Sequence, residues 1–73
     1  MLGDRIRATR KERGLSQENL ALEANLDRSF VGQVERGERN VSFLTLCAIA
    51  FVIETDVGTL TEGLPQKHER AVP

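Results

Sequence analysis

The sequence predicts an all-α fold: a compact four- to five-helix bundle over residues 1–64. Three observations predict it. Helix-stopping and helix-starting residues cut the chain at short intervals. Three successive helix starts share one hydrophobic arrangement. The apolar run Leu46 to Ile53, whose runner-up reading is a buried strand, has no second strand to pair with. At 73 residues the chain supports one small domain.

The first helix is expected over residues 3–13. Ile6 marks one side, Arg5, Arg7, Lys11 and Arg13 surround it, and Gly14 follows as a stop. Ser16 reads as an N-cap. Leu15 precedes Ser16, and Leu20 takes the fourth helical position. Leu26 and Val31 flank the start at Asp27, and Val41 and Leu46 flank the start at Ser42, in the same way. Each pair is a hydrophobic staple, which fixes how the chain enters a helix. Together they predict helices near 17–24, 28–36 and 43–53. None completes a capping box, because Asn19, Phe30 and Thr45 stand where Glu or Gln is wanted. Gly37 ends the third helix. A short last helix is expected over 57–61, with Asp56 as cap and Gly63 beyond. Residues 65–73 are polar and bracketed by Pro65 and Pro73, and are expected to form a mobile tail.

Composition excludes several function classes. A lone cysteine, Cys47, excludes an internal disulfide, and with a single histidine, His68, it cannot make a structural zinc site. Neither metal nor cofactor is expected, and no small-molecule ligand is evident. Paired carboxylates, a Ser/His/Asp set and a Gly-rich phosphate loop are all missing, so an enzyme is not expected. Cys47 lies among apolar residues and reads as a small hydrophobe, and His68 as a solvated tail residue. The longest apolar run is far short of the roughly 20 residues that span a membrane. The first residues lack a signal pattern, so a cytoplasmic location is expected, where a free thiol stays reduced.

The second and third helices are separated by Ala24-Asn25-Leu26, the spacing of a helix-turn-helix. Counting Gln17 as position one, Leu20, Ala24, Leu26, Val31 and Val34 fall at inward positions of two steeply crossed helices. Ala21 falls where the helices approach most closely. Asn25 occupies the turn, where a left-handed residue is favoured.

These blocks resemble a known family. Leu15-Ser16-Gln17-Glu18-Asn19-Leu20-Ala21, then Val34-Glu35-Arg36-Gly37-Glu38-Arg39, then Leu46 with Ile49-Ala50, are similar to the lambda-repressor/Cro-like, or xenobiotic-response-element, helix-turn-helix family. The resemblance covers residues 3–63. It implies a five-helix, DNA-binding transcriptional regulator, usually dimeric on its operator. Small members include phage repressors, restriction–modification controllers and antitoxins. Two departures stand out: Asn25 where Gly is commoner, and Glu54 where Gly usually follows the fourth helix.

The chemistry expected is that of a recognition helix whose N-terminal part meets base edges in the major groove. Candidates are Arg28, which suits guanine, Gln33, which suits adenine, and Ser29. Asp27 suits cytosine, but an N-cap role is the stronger reading. Gly32 either admits close backbone approach or only spaces the helix. Gln17 and Ser16 at the second helix, with Arg36, Arg39 and Asn40 after the third, are candidate phosphate contacts. Arg5, Arg7, Lys11 and Arg13 are available to supply a positive field. The resemblance implies an ion pair between Arg10 and Glu35 that orients the recognition helix.

On the fourth helix, Phe43, Leu46, Ile49, Ala50 and Ile53 follow a core spacing. Leu44, Cys47, Phe51 and Val52 are left over. With Leu60 and Leu64 they are candidates for a symmetric homodimer contact, setting two recognition helices about 34 Å apart on a pseudo-palindromic operator. The competing class is a protein-interaction module, or antitoxin-like scaffold, that uses the same apolar helix to bind another protein.

The net charge of −1 is unusual for a DNA binder. Its distribution is uneven. Residues 1–40 carry eight basic and seven acidic side chains, and residues 41–73 two and four. Non-specific DNA affinity is therefore expected to be weak, with specific binding resting on base contacts and two-fold multiplicity.

Overall fold

The computed structural model describes residues 1–64. The expected tail, 65–73, and His68 lie outside them. Five helices follow in order: α1 (Leu2–Glu12), α2 (Gln17–Ala24), α3 (Arg28–Glu35), α4 (Phe43–Val52) and α5 (Val57–Thr61). α2 and α5 match the expected spans. The other ends shift by one residue, where terminal turns close on Arg13, Arg36 and Ile53.

Each of the first four helices ends the same way. The chain turns left-handed at Gly14, Asn25, Gly37 and Glu54. At each, the next amide reaches back over the last turn: Leu15 to the Arg10 carbonyl, Leu26 to Ala21, Glu38 to Gln33, and Thr55 to Ala50. This is the Schellman arrangement, which satisfies carbonyls a helix end leaves open. Leu15 and Leu26 serve twice, since each also staples the helix that follows. Both departures from the family pattern therefore keep the backbone conformation Gly would supply.

The starts are capped unevenly. Ser16, Ser42 and Asp56 accept from the backbone amides of Asn19, Thr45 and Thr59. Asn19 also closes a capping box, its Oδ1 accepting from the Ser16 amide at 3.5 Å and from the Ser16 hydroxyl at 2.8 Å. That corrects the expectation that no box is complete: a shorter amide side chain reaches as Gln would. Asp27 sits at the N-cap position with extended backbone, but its side chain makes no capping bond.

The core gathers Ile6, Leu20, Ala21, Val31, Val34, Leu46, Ile49, Ala50, Ile53 and Leu60. The three leading staple residues, Leu15, Leu26 and Val41, pack half-buried against it. α2 packs on α3 and α4, while α1 packs on α3 and α5. Phe43, expected in the core, is 67% exposed. It opens α4, so no preceding turn carries it inward. Gly3 sets the seam between α1 and α3. A Cβ there would lie 2.5 Å from the carbonyl oxygens of both Val34 and Glu35. The end of α3 thus rests on the bare backbone of α1.

Arg5 on α1 and Arg13 at its C-cap reach the ends of α4 and α5. Arg13 Nε donates to the Ile53 carbonyl at 2.9 Å and Nη2 to that of Glu54 at 3.2 Å. Arg5 Nη1 donates to the carbonyls of Leu60 and Glu62. Both cations cover the negative ends of helices, α4 and α5. This corrects their expected part in a DNA-facing field. Among the described residues, no helix is long and apolar enough to cross a membrane, and no cluster of His, Cys, Asp and Glu could hold a metal ion.

Candidate nucleic-acid interface

α2 and α3, joined by the left-handed turn at Asn25, form the helix-turn-helix. Ala21, 3% exposed, lies within their packing. Val31, Val34 and Glu35 fix the inner face of α3 and leave Arg28 and Ser29 exposed and Gln33 half-buried. These three line an open cleft of ≈ 310 Å³ with Gln17, Gly32 and Arg36. The structure therefore brings together three of the four candidate base-reading residues and two of the candidate phosphate donors. Asp27 lies on the neighbouring side, in a second concavity with Phe30, Gln33 and Arg39. Asn40 is exposed in the loop after α3. Ser16 is exposed, with its hydroxyl engaged in the cap.

A buried polar network holds α3 in place. Arg10 Nε donates to Glu35 Oε2 at 2.7 Å and Nη2 to Oε1 at 3.0 Å. Its Nη1 donates to the Leu15 carbonyl at 2.8 Å. Gln17 Nε2 donates to Glu35 Oε1 at 3.0 Å. Both charged side chains are almost wholly buried, and no buried side-chain polar atom among the described residues lacks a partner. The fork geometry is what makes a buried pair tolerable. The expected Arg10–Glu35 pair is thus present. Gln17 joins it, so Arg10 of α1 and Gln17 at the cleft's edge share one α3 carboxylate.

Gly32 has a definite reason. A Cβ there would lie 3.2 Å from Arg36 Nη1 and 3.6 Å from Gln17 Oε1. The bare position lets the Arg36 guanidinium fold across the helix toward Gln17. Arg36 also grips Glu38, Nε to Oε2 at 3.0 Å and Nη2 to Oε1 at 3.2 Å. The hydrogen bonds raise the pKa of Arg36 and hold the Glu38 carboxyl below its usual range. To grip a phosphate with the same Nε–Nη2 fork, Arg36 must release Glu38. Arg39 lies over the Phe30 ring and donates to Gln33. Sequence reasoning missed both arrangements, because they join residues through the irregular 36–40 segment, where no helical spacing predicts proximity.

The candidate dimer residues divide. Leu44 is 80% exposed, Phe51 is 84% exposed, and Cys47 and Val52 are half-buried. Leu44, Cys47 and Phe51 recur every three to four residues and make one stripe. Leu60 does not belong with them. It is 1% exposed, because the short α5 turns it into the core. Leu64 is half-buried and lines a concavity with Leu2, Val34 and Val41, at the start of α1 rather than on the α4 stripe.

A helix-turn-helix with a polar cleft along its second helix is the arrangement of a DNA-binding transcriptional regulator. The family model described as Helix-turn-helix matches residues 6–59, and the chain belongs to that family. It is 39% identical over 70 residues to the control protein C.SmaI of Serratia marcescens, spanning 96% of this chain and 83% of that protein. The restriction–modification controller C.AhdI of Aeromonas hydrophila superposes with a TM-score of 0.79 at 46% identity, covering 81% of this chain and 89% of that one. SinR of Bacillus subtilis, the master regulator for biofilm formation, in its complex with DNA superposes with a TM-score of 0.81 at 35% identity, covering 85% of this chain and all of that one.

Proposed function

We propose that the protein binds a pseudo-palindromic operator as a homodimer, with α3 of each copy in the major groove, and controls transcription by occupying that site. The observation that carries this reading is the convergence of Arg28, Ser29 and Gln33 on one cleft whose rim carries Gln17 and Arg36. Arg28 and Ser29 stand at the N-terminal end of α3, the part of a recognition helix that reaches base edges. In this reading Arg28 donates to guanine, Ser29 and Gln33 read neighbouring bases, and Asp27, free of a capping bond, accepts from cytosine. Gln17, Arg36 and Asn40 reach phosphates on either side, with Ser16 beside them. The exposed stripe of Leu44, Cys47 and Phe51 supports pairing with a second copy. This activity places the protein with the DNA, in the cytoplasm.

Selection of bound duplexes from a random pool tests the reading. It should return two inverted half-sites about one helical turn apart. Arg28→Ala should lose roughly 1–3 kcal/mol on the selected duplex and relax preference at one base pair per half-site. Recovery of no sequence, with binding absent even at low salt, would overturn the reading. An alternative partner protein on α4 would then be sought.

A further inference from the structure

Arg39 lies beyond the end of α3 and folds back onto it. Its guanidinium carbon lies 5.4 Å from the centroid of the Phe30 ring. Its Nη1 donates to Gln33 Oε1 at 3.3 Å. Phe30 and Gln33 sit one turn apart on α3 and so share a face. The ring is half-buried and packed against the core, which makes it a fixed platform rather than a mobile surface group. A cation over an aromatic face is held by the ring's quadrupole. Arg39 is thereby seated by Phe30, and Gln33 is held by Arg39.

Hydrogen-bond chemistry then fixes which way the Gln33 amide points. A guanidinium has only donors, so the atom that Gln33 turns toward it is the carbonyl oxygen. An unrestrained glutamine amide turns over and offers a base either an acceptor or a donor. One whose oxygen is engaged offers its NH2 group in a set direction. We infer that Arg39, seated on Phe30, is a positioning residue for sequence readout. It holds the Gln33 nitrogen toward the groove, so that Gln33 reads an acceptor edge, purine N7, guanine O6 or thymine O4, and discriminates against cytosine, the one base whose groove edge offers only a donor. This rests on the proposed base contact of Gln33, and it moves Arg39 from phosphate contact to specificity.

The test compares bound-duplex selections for the natural sequence, Gln33→Ala, Phe30→Leu and Arg39→Met, each checked for an unchanged helical melt. Gln33→Ala identifies the base pair that Gln33 reads. Phe30→Leu keeps the Arg39 charge and removes only the ring. It should broaden preference at that same pair by about five- to tenfold, admitting cytosine, while other positions and the salt dependence stay unchanged. Arg39→Met should broaden the same pair. The inference is overturned if Phe30→Leu and Arg39→Met keep the natural preference there, or if Gln33→Ala alters no pair. It is also overturned if Arg39→Met weakens all sequences alike and lowers the salt slope by about one per copy, the signature of a phosphate contact. Failure of the natural protein to select any sequence overturns the operator reading itself, and the inference with it. A stable partial unfolding of Phe30→Leu leaves Arg39→Met, an exposed position, to decide.

Discussion

Glu35 accepts three hydrogen bonds from two side chains that reach it from different helices. It therefore ties α1, α2 and α3 at one atom group. Glu35→Gln removes the charge and leaves the Arg10 guanidinium buried without a counter-ion. Chemical denaturation should show a loss of roughly 3–5 kcal/mol, and a loss near zero would contradict the structural role. At this scale the sequence was legible where spacing carries information. The staples and the outward side of α3 were readable in this way, while the Arg10–Glu35 pair came from the family resemblance. The roles of Arg5 and Arg13 were not. Their partners are main-chain carbonyls 40 to 57 residues away, and a carbonyl has no residue identity to recognise. Gly3 left no signal, because the expected helix begins at it and a glycine at a helix start needs no packing reason.

The helices are short, and their ends supply much of what defines them. Glu54 adopts φ 60°, a left-handed conformation that costs an L-residue on the order of 1 kcal/mol. Its partner Arg13 is 3.7 Å away at an exposed site, a pair of little worth. Glu54→Gly should therefore raise the thermal midpoint, by relief of strain that outweighs the lost pair, and an unchanged or lower midpoint would show the reverse balance. Asn25, at φ 59°, pays less, since Asn tolerates this region. At the start of α5, the Asp56 carboxylate accepts from the Thr59 amide, which lowers its pKa. A depressed folded-state pKa contributes stability above the unfolded value and loses it as pH falls. Stability should thus decline as pH drops below about 4, and less steeply in Asp56→Asn, whose cap does not titrate. A denaturation series across pH 2 to 5 reads both slopes. Helix types and spans were recoverable because caps and staples are local signals. The capping box at Asn19 was missed because the rule for residue type is narrower than the geometry it stands for.

At the scale of the molecule, the proposed homodimer depends on the α4 stripe. Phe51→Glu places a charge at a site that is 84% exposed in the single copy, so folding should survive. Sedimentation should show a single copy where the natural protein shows two, and operator affinity should fall with loss of the second half-site. Equal masses for both proteins would remove α4 from the interface. The net charge of −1 implies few spare cations, and the structure shows where several of the basic side chains are engaged. Of the eight basic side chains in residues 1–40, Arg5 and Arg13 serve helix ends, Arg10 is buried with Glu35, and Arg36 holds Glu38. Among the described residues, no carboxylate lies in ion-pair distance of Arg7, Lys11 or Arg28. This sequestration has a kinetic consequence. A regulator with so few cations to spend on the phosphate backbone slides poorly and leaves wrong sites quickly. On the proposed reading it finds its operator mainly through free collision in three dimensions. On that reading little of it would sit on bulk chromosomal DNA, and the operator would sense nearly the whole cellular pool.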